Sequence, residues 1–143
     1  MEYSGFTGRP IQFVLARSKL AYNDLMKYTA TYFSKDWKLK PTLLNASKII
    51  KREFLRAFSD DEGSVFRQGN KGRIHIFSIN LIGLKQIQSL LLGFGIQSTI
   101  IPGCGCKRNV YAIVIRDLKT FQRKIGFNLK RKQDELSSIC SKL

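Results

Sequence analysis

From residue 47 onward, the spacing of apolar residues predicts a helix, two strands, a second helix, two more strands and two final helices. Few folds accept that order. The first helix has Asn45 or Ser47 as its N-cap, carries Ile49, Ile50, Phe54, Ala57 and Phe58 at helical spacing, and ends at Gly63. At Ser64 the period changes from helical to β. Two short β-favouring runs, Ser64–Gln68 and Arg73–Ile79, flank the polar turn Gly69-Asn70-Lys71-Gly72 and predict a hairpin. Leu84, Ile87, Leu90, Leu91 and Phe94 restore the helical period until Gly93 and Gly95 close it. A second strand pair follows at Gln97–Pro102 and Asn109–Arg116. Asp117 then caps a helix through Leu118, Phe121 and Ile125, and a last helix starts near Arg131. Two hairpins joined into one antiparallel sheet, with helices on one face, make an α+β domain.

The preceding residues, 1–46, predict a basic helical extension. Its helix starts at Pro10 and continues through Ile11, Val14, Ala21, Leu25, Tyr28 and Tyr32, and a lysine-rich connector runs from Ser34 to Pro41. At 143 residues and 43% apolar, the chain suits one cored domain, here residues 47–143, with that extension.

Lysine and arginine number 25 against 10 aspartates and glutamates, a formal net charge of +15. Such an excess calls for an acidic partner, nucleic acid first, and DNA and structured RNA fit the charge equally well. No stretch has the length and apolarity of a membrane span and the amino terminus has no secretory pattern, so no membrane partner is expected and the expected location is the cytoplasm or an organelle interior. Cys104, Cys106 and Cys140 are an odd set with poor spacing for disulfides, which suits reduced thiols. With His75 they number enough for a zinc site, but two thiols one residue apart with no second close pair is not a usual zinc spacing. A glycine-rich turn is the simpler reading of Cys104 and Cys106.

The acids are clustered: Glu53, Asp60, Asp61 and Glu62 all lie on the first helix, the last three at its carboxyl end. There the helix dipole is negative, so each carboxylate costs about 0.3–1 kcal/mol. A solvated acidic turn is one reading. The other is a functional site, since local rules are broken where something else is gained, and a divalent cation held by carboxylate and backbone oxygens is such a gain.

The run Phe54-Leu55-Arg56-Ala57-Phe58-Ser59-Asp60-Asp61-Glu62-Gly63 resembles the motif of the LAGLIDADG homing endonucleases. Downstream, Asn80, the Leu84-Ile87-Leu90-Leu91 series, Phe94-Gly95-Ile96 and Ile125 to Lys132 also resemble that family in order and spacing. The resemblance covers about residues 47–140. It implies an αββαββα domain whose four-stranded antiparallel sheet binds DNA. It also implies a site-specific double-strand DNA endonuclease, intron- or intein-derived, that hydrolyses phosphodiesters with Mg²⁺ or another divalent cation such as Mn²⁺. Glu62 would ligate the metal with the Gly63 backbone, Asn80 would position solvent, and Lys130 would stand near the scissile phosphate with Lys132 as fallback. Asp60 and Asp61 would be lesser neighbours, Asp60 bonding locally.

In that family two motif helices cross closely. A chain with one motif then implies a homodimer, with Phe54, Ala57 and Phe58 at the interface and a near-palindromic DNA site. Strand alternation turns Ile74 and Ile76 inward and puts Arg73, His75 and Phe77 on the groove face with Ser64, Phe66, Gln68 and Asn70. In the second hairpin Val110, Ala112 and Val114 form one face and Asn109, Tyr111 and Ile113 the other, with Asn109 and Tyr111 assigned to DNA and Lys132 joining them. Intron RNA bound by a maturase, and a DNA-binding regulator that has lost cutting, are the alternatives on the same scaffold.

Overall fold

Ser47 opens the longest helix by accepting, through its hydroxyl, the N–H of Ile50 at 3.4 Å. The computed structural model describes residues 2–4, 10–12, 27, 35–102 and 109–143. Two short strands, β1 (Glu2–Ser4) and β2 (Pro10–Gln12), come first, then a single-turn helix, α1 (Pro41–Leu44), with proline at its start. The helix that Ser47 opens is α2 (Lys48–Glu62). The chain then makes β3 (Gly63–Gln68) and β4 (Lys71–Ser78), α3 (Leu81–Leu92), β5 (Thr99–Pro102) and β6 (Tyr111–Ile115), α4 (Leu118–Lys124) and α5 (Lys130–Cys140). Strands β3, β4, β6 and β5 lie in that order in one wholly antiparallel sheet. The fold is α+β, as the sequence predicts.

The first hairpin closes in two residues. Gly69 takes φ +60° and Asn70 does not, the arrangement of a type II′ turn, whose twist matches the flanking strands. The second hairpin's connection, residues 103–108, lies outside the described residues, and with it the expectations for Cys104, Cys106, Lys107 and Arg108.

One apolar cluster joins the layers. Ile74, Ile76, Ile113 and Ile115 project from the sheet's inner face against Leu55 of α2, Leu84, Ile87 and Leu91 of α3, Phe121 of α4, and Leu136 and Ile139 of α5. Each such buried side chain contributes about 1.5–3 kcal/mol. The cluster also reaches back across the expected boundary at 46/47 to Leu43 and Leu39. Gln86 ties Leu39 down reciprocally, its Oε1 accepting the Leu39 N–H at 2.7 Å and its Nε2 donating to the Leu39 carbonyl at 3.3 Å. The Trp37 ring sits where a Cβ on Gly83 would be, which is why α3 carries a glycine there.

The helix predicted to start at Pro10 is corrected. Pro10–Gln12 is the strand β2, paired antiparallel with β1. Both strands of a two-stranded sheet are edges, and an edge tolerates the missing proline N–H. The rest of that predicted helix falls on residues 13–26 and 28–34, outside the described residues.

Candidate nucleic-acid interface and acidic site

The carboxyl end of α2 runs straight into β3. Gly63 makes the transition at φ −88°, ψ 148°, and its N–H closes the helix on the Ser59 carbonyl. Its glycine is required by crowding and not by backbone sign, because a Cβ there would stand 2.5 Å from the Ser59 oxygen and 3.4 Å from the Phe127 ring. The three acids beside it have separate fates. Asp60 Oδ1 accepts the N–H groups of Asn128 and Leu129 at 2.9 and 3.1 Å, so it caps α5, whose own N-cap residue, Leu129, has no side-chain oxygen to give. A charge that is unfavourable at the end of α2 is favourable at the start of α5.

Glu62 behaves differently. It is solvent-exposed and has no hydrogen bond or ion pair among the described residues. Its carboxyl is held above the usual carboxylate range, first by partial burial and then by the charge of Asp61, against the opposing pull of Lys132. That is a concentration of negative charge which a cation relieves.

Lys132, not Lys130, stands at this cluster. Its Nζ donates to the Asp60 carbonyl, and its ammonium is held below the usual lysine value by desolvation and Arg131 although Asp60, Asp61 and Glu62 pull it up. The expectation for Lys130 is corrected: its Nζ reaches Asp134 at 2.6 Å, one turn along α5, and its side chain is otherwise in solvent. Helix geometry is the reason, since residues 130 and 132 are two positions apart on α5 and point in different directions.

Asn80 is corrected as well. It is 4% exposed and fully used: Oδ1 caps α3 by accepting the Gly83 N–H at 2.9 Å, and Nδ2 donates to the Trp37 carbonyl. No polar atom is left to position solvent.

On the sheet, Ser64 pairs with His75, Phe66 with Arg73 and Gln68 with Lys71, so these residues share the outer face, with Phe77 further along β4 and Asn70 exposed at the hairpin tip. Arg73 donates to Gln68 at 3.0 Å. The second hairpin reverses the expectation. Tyr111 pairs with Ser78, and Ile113 with Ile76, so Tyr111 lies on the inner face, half-buried against the core, while Ala112 and Val114 lie on the outer face opposite Phe77 and His75. Five consecutive apolar residues, Tyr111-Ala112-Ile113-Val114-Ile115, carry no polar phase from which the sequence could tell the two faces apart. Asn109 is exposed in the turn before β6.

The interface expectation for α2 is corrected in part. Phe54 and Phe58 stack on each other at 6.0 Å and pack on their own core, with Trp37 edge-on to Phe58 at 5.5 Å. Ala57 is exposed, on a stripe with Ile50, Glu53 and Asp61.

Among the described residues no three metal-ligating side chains converge and no helix is long and apolar enough to cross a membrane. Cys140 is buried in the core and His75 lies on the sheet's outer face, so these two do not share a site.

Fifty-seven residues of the chain are 40% identical to the ribonucleoside-diphosphate reductase large subunit of Invertebrate iridescent virus 6, a match over 40% of this chain and 6% of that protein. The fold is similar to that of a glycine-to-serine variant of I-DmoI, solved in complex with its target DNA in the presence of 2 mM Mg, with a TM-score of 0.54, 20% identity, and coverage of 80% of this chain and 61% of that one. The chain thus spans only part of each. The family model of the LAGLIDADG-like domain matches residues 50–126, from α2 with its acidic end to the close of α4, and the chain belongs to that family.

Proposed function

We propose that the chain is a site-specific double-strand DNA endonuclease of the homing kind, acting as a homodimer with a divalent cation. The observation that carries this reading is the division of labour at the end of α2: Asp60 is consumed in structure, whereas Glu62, two residues on, is left open with a lysine beside it. The DNA-bound state of the I-DmoI variant, which shares the fold, and the net charge of +15 support DNA as the substrate.

The donors fit a hard cation such as Mg²⁺ or Mn²⁺ as half of a site. Glu62 and the Gly63 backbone would hold it, with Asp61 adding charge nearby, and a second copy would bring the matching half across a two-fold axis. When bound, the cation supplies charge neutralisation at the phosphate and a more acidic water. The residues of the chain do the rest. The Lys132 ammonium lies where positive charge stabilises a pentacovalent phosphate, and Asp60, by fixing the start of α5, positions that lysine. The exposed stripe Ile50, Glu53, Ala57 and Asp61 of α2 is the surface for the second copy, with the small Ala57 permitting close helix approach. A match confined to 6% of a reductase subunit suits a domain embedded in an unrelated host protein, which favours an intein over an intron as its source.

The test is cleavage of duplex DNA spanning the insertion site, by wild type and by Glu62→Gln, with Mg²⁺ or EDTA. Wild type cuts both strands only with Mg²⁺ and Glu62→Gln does not cut. Metal-independent binding of intron RNA without DNA cleavage would overturn the reading in favour of a maturase. Sedimentation of the DNA complex tests the dimer separately, and one chain per duplex would sink it.

A further inference from the structure

The outer face of the sheet has an unusual centre for a surface assigned to reading DNA. Phe66, His75 and Phe77 form one cluster there, with ring centroids 4.6 Å (Phe66–His75), 5.7 Å (His75–Phe77) and 6.4 Å (Phe66–Phe77) apart. Beside them on β6 lie Ala112 and Val114, set between larger neighbours: Phe77 and His75 on β4, and Ile101 and Thr99 on β5. Phe66 remains 44% exposed. Hydrogen-bonding capacity is poor here, since His75 Nε2 is shielded from solvent without a partner. The cations stand at one end, where Lys71, Arg73 and Arg116 line a cleft with Gln68 and no acidic side chain.

An apolar centre with a cationic end must meet a ligand that is anionic at its edge and apolar where it faces the sheet. In the major groove one base-pair feature is apolar, the pyrimidine 5-methyl group of thymine. Stacking of unpaired bases is the competing use of aromatic rings on a sheet. The rings here are inclined to one another by 51°, 62° and 79°, so they pack into each other and offer no parallel platform for successive bases. Resting on the DNA-binding reading above, we propose that the Phe66–His75–Phe77 cluster and the Ala112–Val114 floor select target sites by the thymine methyl groups of duplex DNA, while Arg73 and Gln68 supply hydrogen-bond readout at the end of the same strip.

The experiment is in vitro selection of random duplexes on the full Glu62→Gln chain with Mg²⁺ present, followed by binding to the selected site synthesised with thymine or with uracil. Thymine is enriched at fixed positions in each half-site, and each uracil weakens binding about four-fold, the transfer value of one methyl group. Phe66→Ser and Phe77→Ser then bind thymine and uracil sites with a smaller difference, and near-ultraviolet circular dichroism verifies their fold. The thymine–uracil comparison on the parent chain stands without those variants. Equal affinity for the two sites, or a preference for single strands, overturns the proposal and leaves duplex binding or its absence to be judged separately. Failure to bind any duplex overturns both this proposal and the endonuclease reading.

Discussion

The carboxyl end of α2 and the amino end of α3 each place a polar side chain beside a strand, Glu62 before β3 and Asn80 after β4, yet the two ends have opposite characters. At Asn80 both amide atoms are bonded and the residue is buried, so the polarity is spent on holding α3 and the Trp37 segment together. At Glu62 the carboxylate is open, crowded by Asp61 and partly desolvated. A satisfied polar group is structure; one kept charged and unsatisfied at a cost is available for chemistry. Asp60 shows the boundary between them, lying two residues from Glu62 and behaving like Asn80.

Glu62→Gln tests this contrast with the largest effect. Cleavage falls to background while the metal-free protein loses no stability. The sign follows from the raised carboxyl: ionisation opposes folding above the raised value, and the penalty disappears as pH falls to the ordinary 4.5 of a glutamate. Thermal melts of wild type and variant therefore converge toward acid pH, and a variant that melts lower than wild type at pH 7 breaks the contrast.

Asn80→Ala does the reverse. Losing an N-cap and leaving the Trp37 carbonyl unpaired costs about 2–4 kcal/mol in urea denaturation. Cleavage per folded molecule stays within a few-fold, and a large loss of turnover in the folded fraction would return Asn80 to the active site. Lys132→Met lowers single-turnover cleavage about a hundred-fold, as the loss of one transition-state donor does. Lys130→Met changes neither that rate nor stability by more than about 0.5 kcal/mol. Equal effects at the two positions would break the assignment of Lys132. The smallest change is at Asp60, where alanine removes the cap on α5 for about 1–2 kcal/mol and asparagine restores most of it.

Much of the fold is legible along the chain because it rests on local signals. Ser47 and Asp117 cap their helices as single-residue features, and Gly69 sets the turn of the first hairpin. Ile74 and Ile76 alternate cleanly with Arg73, His75 and Phe77, so β4 has a readable phase. Strand β6 has none, and there the register with β4 decides that Tyr111 faces inward. The same limit applies to the acidic run, in which sequence alone does not rank Asp60, Asp61 and Glu62.

By itself the sequence determined the α+β order, the family and the acidic motif at a helix end, because period, capping and turn chemistry act within a few residues. Only the tertiary structure decided which acid is free, which lysine faces it and that Asn80 is a brace. Those outcomes depend on partners far along the chain: Asp60 meets Asn128 and Leu129, Lys132 meets Asp60, and Asn80 meets Trp37. Hydrogen bonds across such separations are set by how helices and sheet pack, and packing is a property of the whole core.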